Sequence, residues 1–107
     1  MVIARGDVWL AAQDPQRGRR IPITRPCVVV SPPEMHDELH EVIVAPLAAS
    51  GGAAPFRIPL RFRGQDGLVL LDQVRAIDKL HLVRRLGKIS PQTLRSALLA
   101  LQHTFAP

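Results

Sequence analysis

The chain has 107 residues, enough for one domain spanning residues 1–107 and too few for two. Apolar residues make up 47% and mean hydropathy is +0.10, yet apolar runs such as Cys27 to Ser31 and Val42 to Leu47 are strand-sized, far from the roughly 20 residues of a membrane span. A net charge of +5 and a pI near 11 favour a polyanionic or acidic partner, which RNA, DNA or an acidic protein tail would satisfy equally.

The N-terminus lacks a charged region followed by an apolar stretch and a small-residue cleavage site, so a cytoplasmic protein without membrane association is expected. Val8, Trp9 and Leu10 predict a first strand within Arg5 to Ala11. From Ala12 to Thr24 the chain is polar and basic, punctuated by Pro15, Gly18 and Pro22, and reads as a long exposed loop carrying Arg17, Arg19 and Arg20. Cys27-Val28-Val29-Val30 predicts a central buried strand entered through Pro26, with Cys27 a small core residue that has no partner for an internal disulfide. Ser31, Pro32 and Glu34 have the spacing of a capping box and predict a short helix from about Pro32 to Leu39.

Glu41 to Leu47 is a further predicted strand, and Ala48 to Pro55 a loop of small residues. In Phe56 to Phe62, Phe56, Ile58, Leu60 and Phe62 alternate with Arg57, Pro59 and Arg61, which predicts a half-exposed strand with an arginine-bearing face. A turn over Gly64 to Gly67 and a strand from Leu68 to Leu71 follow, then a less regular, sheet-like stretch from Asp72 to Lys79. Ser90 as cap, Pro91 in the first turn and the stripe Leu94, Ala97, Leu98, Leu101, Phe105 predict a C-terminal helix. Short strands and one terminal helix imply a small, strongly bent antiparallel sheet or barrel with helices packed on it.

His36 and His40 stand four apart, but without the zincin order, and read as exposed polar residues of a short helix; no metal site is expected. His81 and His103 are isolated and read as surface residues. Phosphate-cradling glycine loops, nucleophile elbows and paired cysteines are absent, so no cofactor is expected. With three Phe and one Trp, a base-stacking platform is poorly supported, and any grip on RNA falls to arginines and backbone amides.

Five pieces in order, Arg5-Gly-Asp-Val-Trp-Leu, Asp14-Pro-Gln-Arg-Gly, Thr24-Arg-Pro-Cys-Val-Val-Val-Ser, Val42-Ile-Val-Ala-Pro-Leu and Leu70-Leu-Asp-Gln-Val-Arg-Ala-Ile-Asp-Lys, resemble the MazF/PemK family over almost the whole chain. The resemblance implies a mainly β fold with α, an SH3-like barrel (the CcdB/MazF-like fold) with a C-terminal helix. It also implies a homodimer, a MazE-like antitoxin with an acidic tail as partner, and metal-independent cleavage of single-stranded RNA at short sequences. In that chemistry the ribose 2′-hydroxyl attacks the neighbouring phosphorus. Arg25 matches the family's catalytic arginine, placing a guanidinium fork on phosphate oxygens while being a poor base.

Two departures stand out against the family pattern. The position of a Thr after the Val-Ala-Pro-x strand holds Ala48, with Ser50 two residues on as a substitute catalytic hydroxyl, and the position of a Glu before the Arg-Pro pair holds Arg20. His81 stands where relatives carry an arginine, and an imidazole there has the chemistry for proton transfer. Arg17, Arg19, Arg20, Thr24, Gln73 and Arg75 are the expected RNA-binding residues. Two other readings stay open: a degenerate module that holds antitoxin or RNA without cutting, and a gyrase poison built on the same fold.

Overall fold

In the computed structural model, which describes residues 1–13 and 23–107, β1 (Asp7–Gln13) pairs antiparallel with β2 (Ile23–Val29), and β2 with β3 (Glu41–Ala48). After β3 come β4 (Arg57–Phe62), β5 (Gln65–Leu70), β6 (Arg75–Asp78) and β7 (Leu82–Lys88). The sheet runs β4-β5-β3-β2-β1-β7, with β6 also paired to β3. Helix α1 (Pro33–His36) links β2 to β3, and α2 (Pro91–Phe105) ends the fold. Edge strands β4 and β7 meet through side chains: Arg63 donates through Nη2 to the Leu86 carbonyl, and a Cβ on Gly87 would stand 3.3 Å from the Phe62 ring. The expected barrel with a C-terminal helix is present, closed by a ladder on all but this seam.

Both faces of the β1–β2 region are covered, which explains why Val28, Val29 and Val30 form an unbroken apolar run. One face carries Val8, Val28 and Val30, packed with Ala45, Leu60, Val69 and Ala97 of α2. The other carries Trp9, Ala11, Cys27 and Val29 with Val42, Val44 and Ile77, closed over by Ile3 and Leu82. α2 starts as predicted, with the Ser90 hydroxyl accepting from the Thr93 N–H and Pro91 in the first turn. Its stripe is only partly buried: Ala97 is fully covered, Leu94 and Leu101 pack on the core, and Phe105 is 73% exposed.

Two prolines set the gaps in this sheet. The Val30 N–H donates to the Ile43 carbonyl, so by the alternation of an antiparallel ladder residues 28 and 26 also face β3. Residue 26 is a proline, and the β2–β3 ladder stops at Cys27. On the other edge of β3, Glu41 to Val44 pair with β6, and Leu47 and Ala48 pair with β5. Between them stands Pro46, whose nitrogen faces that edge, and the register there slips by the length of the 3-10 turn Leu71–Gln73 that joins β5 to β6.

Several sequence expectations are corrected. Pro26 is interior to β2, which begins at Ile23; it is tolerated because its nitrogen faces a stretch where β3 has moved away. Ser31 is no helix cap: its hydroxyl accepts from the Ile43 N–H and lies 2.8 Å from His36 Nδ1, and α1 spans only Pro33–His36. His36, read as exposed, is fully buried, its Nε2 donating to the Ile3 carbonyl at 2.7 Å. That bond places a proton on Nε2 and leaves Nδ1 facing the Ser31 hydroxyl. The turn expected over Gly64 to Gly67 is tighter, a two-residue hairpin turn in which Arg63 and Gly64 both have positive φ. β7 carries no alternation that the sequence reading recognised, because Arg84 and Arg85 interrupt it and two bulges break its register with β1.

Gly67 is a required glycine: a Cβ there would lie 2.6 Å from the Ala48 carbonyl oxygen, a backbone atom that cannot move aside. Gly67→Ala is expected to destabilise by about 1–3 kcal/mol in denaturant melts, whereas Gly52→Ala, with nothing within 4 Å, leaves the midpoint unchanged.

Candidate functional site

The gap at Pro46 opens a cavity of about 200 Å³ on the Cys27 face of the sheet. Ala11, Ala12, Val44, Pro46 and Ile77 supply apolar walls, and Cys27 lies among them, 5% exposed. Arg25, Gln73 and Arg75 supply the polar side. Period-two geometry explains the set: Arg25 shares a strand face with Cys27, Arg75 with Ile77, and Pro46 with Val44. Gln73 joins them because it ends the 3-10 turn that replaces the ladder opposite Pro46.

Arg25 Nη1 donates to Gln73 Oε1 at 3.5 Å, a loose contact that orients the guanidinium without occupying its other N–H groups. Among the described residues neither Arg25 nor Arg75 has a carboxylate within salt-bridge distance. Three arginines of the sheet differ: Arg57 is bonded to Asp72, Arg61 to Asp66 and Arg85 to Asp7. The positive charge in the cavity is thus met by no carboxylate among the described residues. It is felt at Cys27, where burial raises the thiol above its ordinary range while Arg25 and then Arg75 pull it down, burial prevailing.

Apolar walls with two free guanidinium groups suit a phosphate whose flanking sugar or base needs cover. Cys27 is the only titratable group besides the arginines that lines the cavity among the described residues, and its thiol stays protonated near neutrality. The arrangement can hold and stabilise an anion; among the described residues no carboxylate or imidazole lines it to take a proton.

The predicted site residues are distributed unevenly. Arg25, Gln73 and Arg75 come together, while Thr24 lies one residue before Arg25 on β2, exposed and opposite Ala12. Ser50 lines a different cavity, with Asp66, Gly67 and Pro59. Ala48, two residues beyond Pro46 on β3, lines a third, with Pro26, Phe62 and Leu86. His81 is half-buried in a second 3-10 turn, Lys79–His81, and does not line the Arg25 cavity. Arg17, Arg19 and Arg20 lie outside the described residues. No group of three His, Cys, Asp or Glu side chains converges as metal ligands among the described residues, and no helix there is long and apolar enough to cross a membrane. Sequence reasoning missed Cys27 as a cavity residue; the shared strand face with Arg25 was the signal.

Residues 4–105 match the family described as PemK-like, MazF-like toxin of type II toxin-antitoxin system, and the chain belongs to that family. It is 32% identical over 101 residues to endoribonuclease PemK of Escherichia coli, covering 89% of this chain and 75% of that protein. Among solved structures it is similar to MazF of Deinococcus radiodurans, with a TM-score of 0.78 at 23% identity over 97% of this chain and 96% of the other. It is also similar to a mycobacterial endoribonuclease in complex with its cognate antitoxin, with a TM-score of 0.78 at 21% identity over 95% and 93% of the two chains.

The raised Cys27 thiol gives a direct check. Alkylation by iodoacetamide at pH 8 is expected to be at least about tenfold slower in the native protein than in urea, because burial both shields the sulfur and suppresses the thiolate; equal rates would contradict the placement.

Proposed function

We propose that the chain is the endoribonuclease toxin of a type II pair, cleaving single-stranded mRNA at short sequences in the cytoplasm, with no metal ion or other cofactor. The observation that carries this reading is the cavity in which Arg25 and Arg75 stand without carboxylate partners among the described residues, beside Gln73. The scissile phosphate takes the place between the two guanidinium groups. The ribose 2′-oxygen attacks phosphorus, the bond to the 5′-oxygen breaks, and the products are a cyclic 2′,3′-phosphate and a free 5′-hydroxyl.

In this reading Arg25 and Arg75 stabilise the charge that builds on the phosphorane oxygens, and Gln73 holds Arg25 in position. Solvent carries the proton from the 2′-oxygen to the departing 5′-oxygen, because no carboxylate or imidazole lines the cavity among the described residues. Thr24 and the arginines Arg17, Arg19 and Arg20 track neighbouring phosphates. Ser50 lines a separate cavity, so this reading assigns the chemistry to Arg25 and Arg75 without it.

The partners are a second copy of the chain and a MazE-like antitoxin with an acidic tail. The likeness to a MazE–MazF complex of Deinococcus radiodurans, with a TM-score of 0.82 at 23% identity, supports an antitoxin. Exposed Leu99 and Phe105 on α2 support apolar contact with a protein partner.

A second reading, a module that binds antitoxin or RNA without cutting, is favoured by two observations. Ala48 brings no hydroxyl to the end of β3, and no described residue of the cavity accepts a proton.

Long single-stranded RNA in EDTA separates the two. The toxin reading predicts discrete cuts with new 5′-hydroxyl ends, lost by about 100-fold or more in Arg25→Ala. Intact RNA at high protein concentration contradicts it, and cleavage that appears only in the Ala48→Thr, Arg20→Glu double variant establishes the binding-only reading.

A further inference from the structure

We infer that Arg57, outside the cavity, is a positioning residue for the reaction, acting through Asp72 on the turn that presents Gln73 to Arg25. The inference rests on the ribonuclease reading above. Arg57 Nε and Nη2 donate to Asp72 Oδ1 and Oδ2 at 3.1 and 2.9 Å, a two-pronged contact that occupies both carboxylate oxygens. Asp72 is the middle residue of the 3-10 turn Leu71–Gln73, and the next residue is the one that contacts Arg25.

The two ends of this clamp are unequal in rigidity, which gives it direction. Arg57 is fixed in the sheet: its N–H and carbonyl both bond to Ala54, and it pairs with Leu70 on β5. Asp72 belongs to a segment that has left the ladder opposite Pro46 and has no strand partner of its own. Leu71 and Val74 anchor the turn at either side by packing into the core, and the Leu71 N–H donates to the Phe56 carbonyl. Those anchors fix where the turn sits. The fork on Asp72 fixes its rotation about the line between them, and with it the direction of the Gln73 side chain.

Asp72 is also withdrawn from other duties. The bonded Arg57 guanidinium holds its carboxyl below the usual carboxylate range, so it is ionised at neutral pH and turned away from the cavity, which it does not line. The clamp is therefore complete at neutral pH and is lost only in acid, as the pH falls through that lowered value. Arg61 and Asp66 form an ion pair on the same β4–β5 hairpin, with a single bond at 3.2 Å and far greater exposure, and they touch neither the turn nor the cavity. Arg61→Ala thus removes the same charge from the same strand without touching the clamp.

The test compares Arg57→Ala, Arg57→Lys, the swap Arg57→Asp with Asp72→Arg, and Arg61→Ala. Two readouts are taken: single-site RNA cleavage, resolved into kcat and KM, and the Gln73 side-chain amide resonances. Arg57→Ala is expected to lower kcat by about tenfold, the scale of a displaced catalytic contact, with KM changed less than about twofold, and to shift the Gln73 amide. The swap recovers part of kcat, Arg57→Lys falls between, and Arg61→Ala matches the unaltered protein in both readouts. If Arg57→Ala leaves the Gln73 amide unmoved, or lowers kcat no more than Arg61→Ala does, the inference is overturned. If the unaltered protein cuts no RNA, the ribonuclease reading fails while the amide resonances still decide whether Arg57 orients Gln73.

Discussion

A missing backbone N–H at Pro46 determines where the candidate site lies. Its nitrogen faces the edge of β3 that β6 and β5 share, and in the register of β6 the residue opposite it would be Gln73. Without that donor the ladder is broken at the point where residue 73 would join it. The chain makes a 3-10 turn instead, and a cavity opens where a strand would have lain. Pro26 acts likewise on the β2 side, ending the β2–β3 ladder next to Arg25. Two adjacent strands thus lose pairing within a few residues of each other, and the side chains of Arg25, Gln73 and Arg75 gather at the gap.

The electrostatics follow from that placement. Three arginines elsewhere on the strands are matched by acids, Arg57 by Asp72, Arg61 by Asp66 and Arg85 by Asp7, the last with a carboxylate that is nearly buried. At the gap, Arg25 and Arg75 have no acid partner among the described residues, and walls of Ala, Val, Pro and Ile surround them. An apolar surround strengthens a contact with an anion and lowers the reorganisation it needs. The same surround keeps the Cys27 thiol protonated despite two cations nearby. A site of this composition is suited to holding an anion and stabilising charge that builds on it.

Much of the fold is legible in the sequence where a single physical signal dominates. The unbroken Val28 to Val30 run reports burial on two faces, and Ser90-Pro91 reports the start of α2. What is not legible depends on distant partners. Nothing local distinguishes Ser31 as a helix cap from Ser31 as the link between His36 and Ile43, and the alternative wins because Ile3 arrives from the N-terminus to complete the network. β7 is hidden because an edge strand with two bulges has no strict alternation. For the site, Arg25, Gln73 and Arg75 were nominated by family resemblance and are gathered by the fold, whereas Ser50 was nominated by proximity in sequence alone and lies at another cavity. The role of Arg57 was masked by its neighbours, since the alternation of β4 makes it one member of a basic face until Asp72 is seen to hold it.

The claim on which the account depends is that the Pro46 gap receives the RNA phosphate. The most direct measurement is a backbone and arginine side-chain NMR titration with a short oligoribonucleotide whose central ribose is 2′-deoxy, so that it binds and cannot be cut. The account predicts that the largest shifts fall on Ala11, Arg25, Gln73 and Arg75 and weaken steeply with added salt. Shifts concentrated around Ser50 and Asp66, with the Arg25 and Arg75 guanidinium signals unmoved, would contradict it.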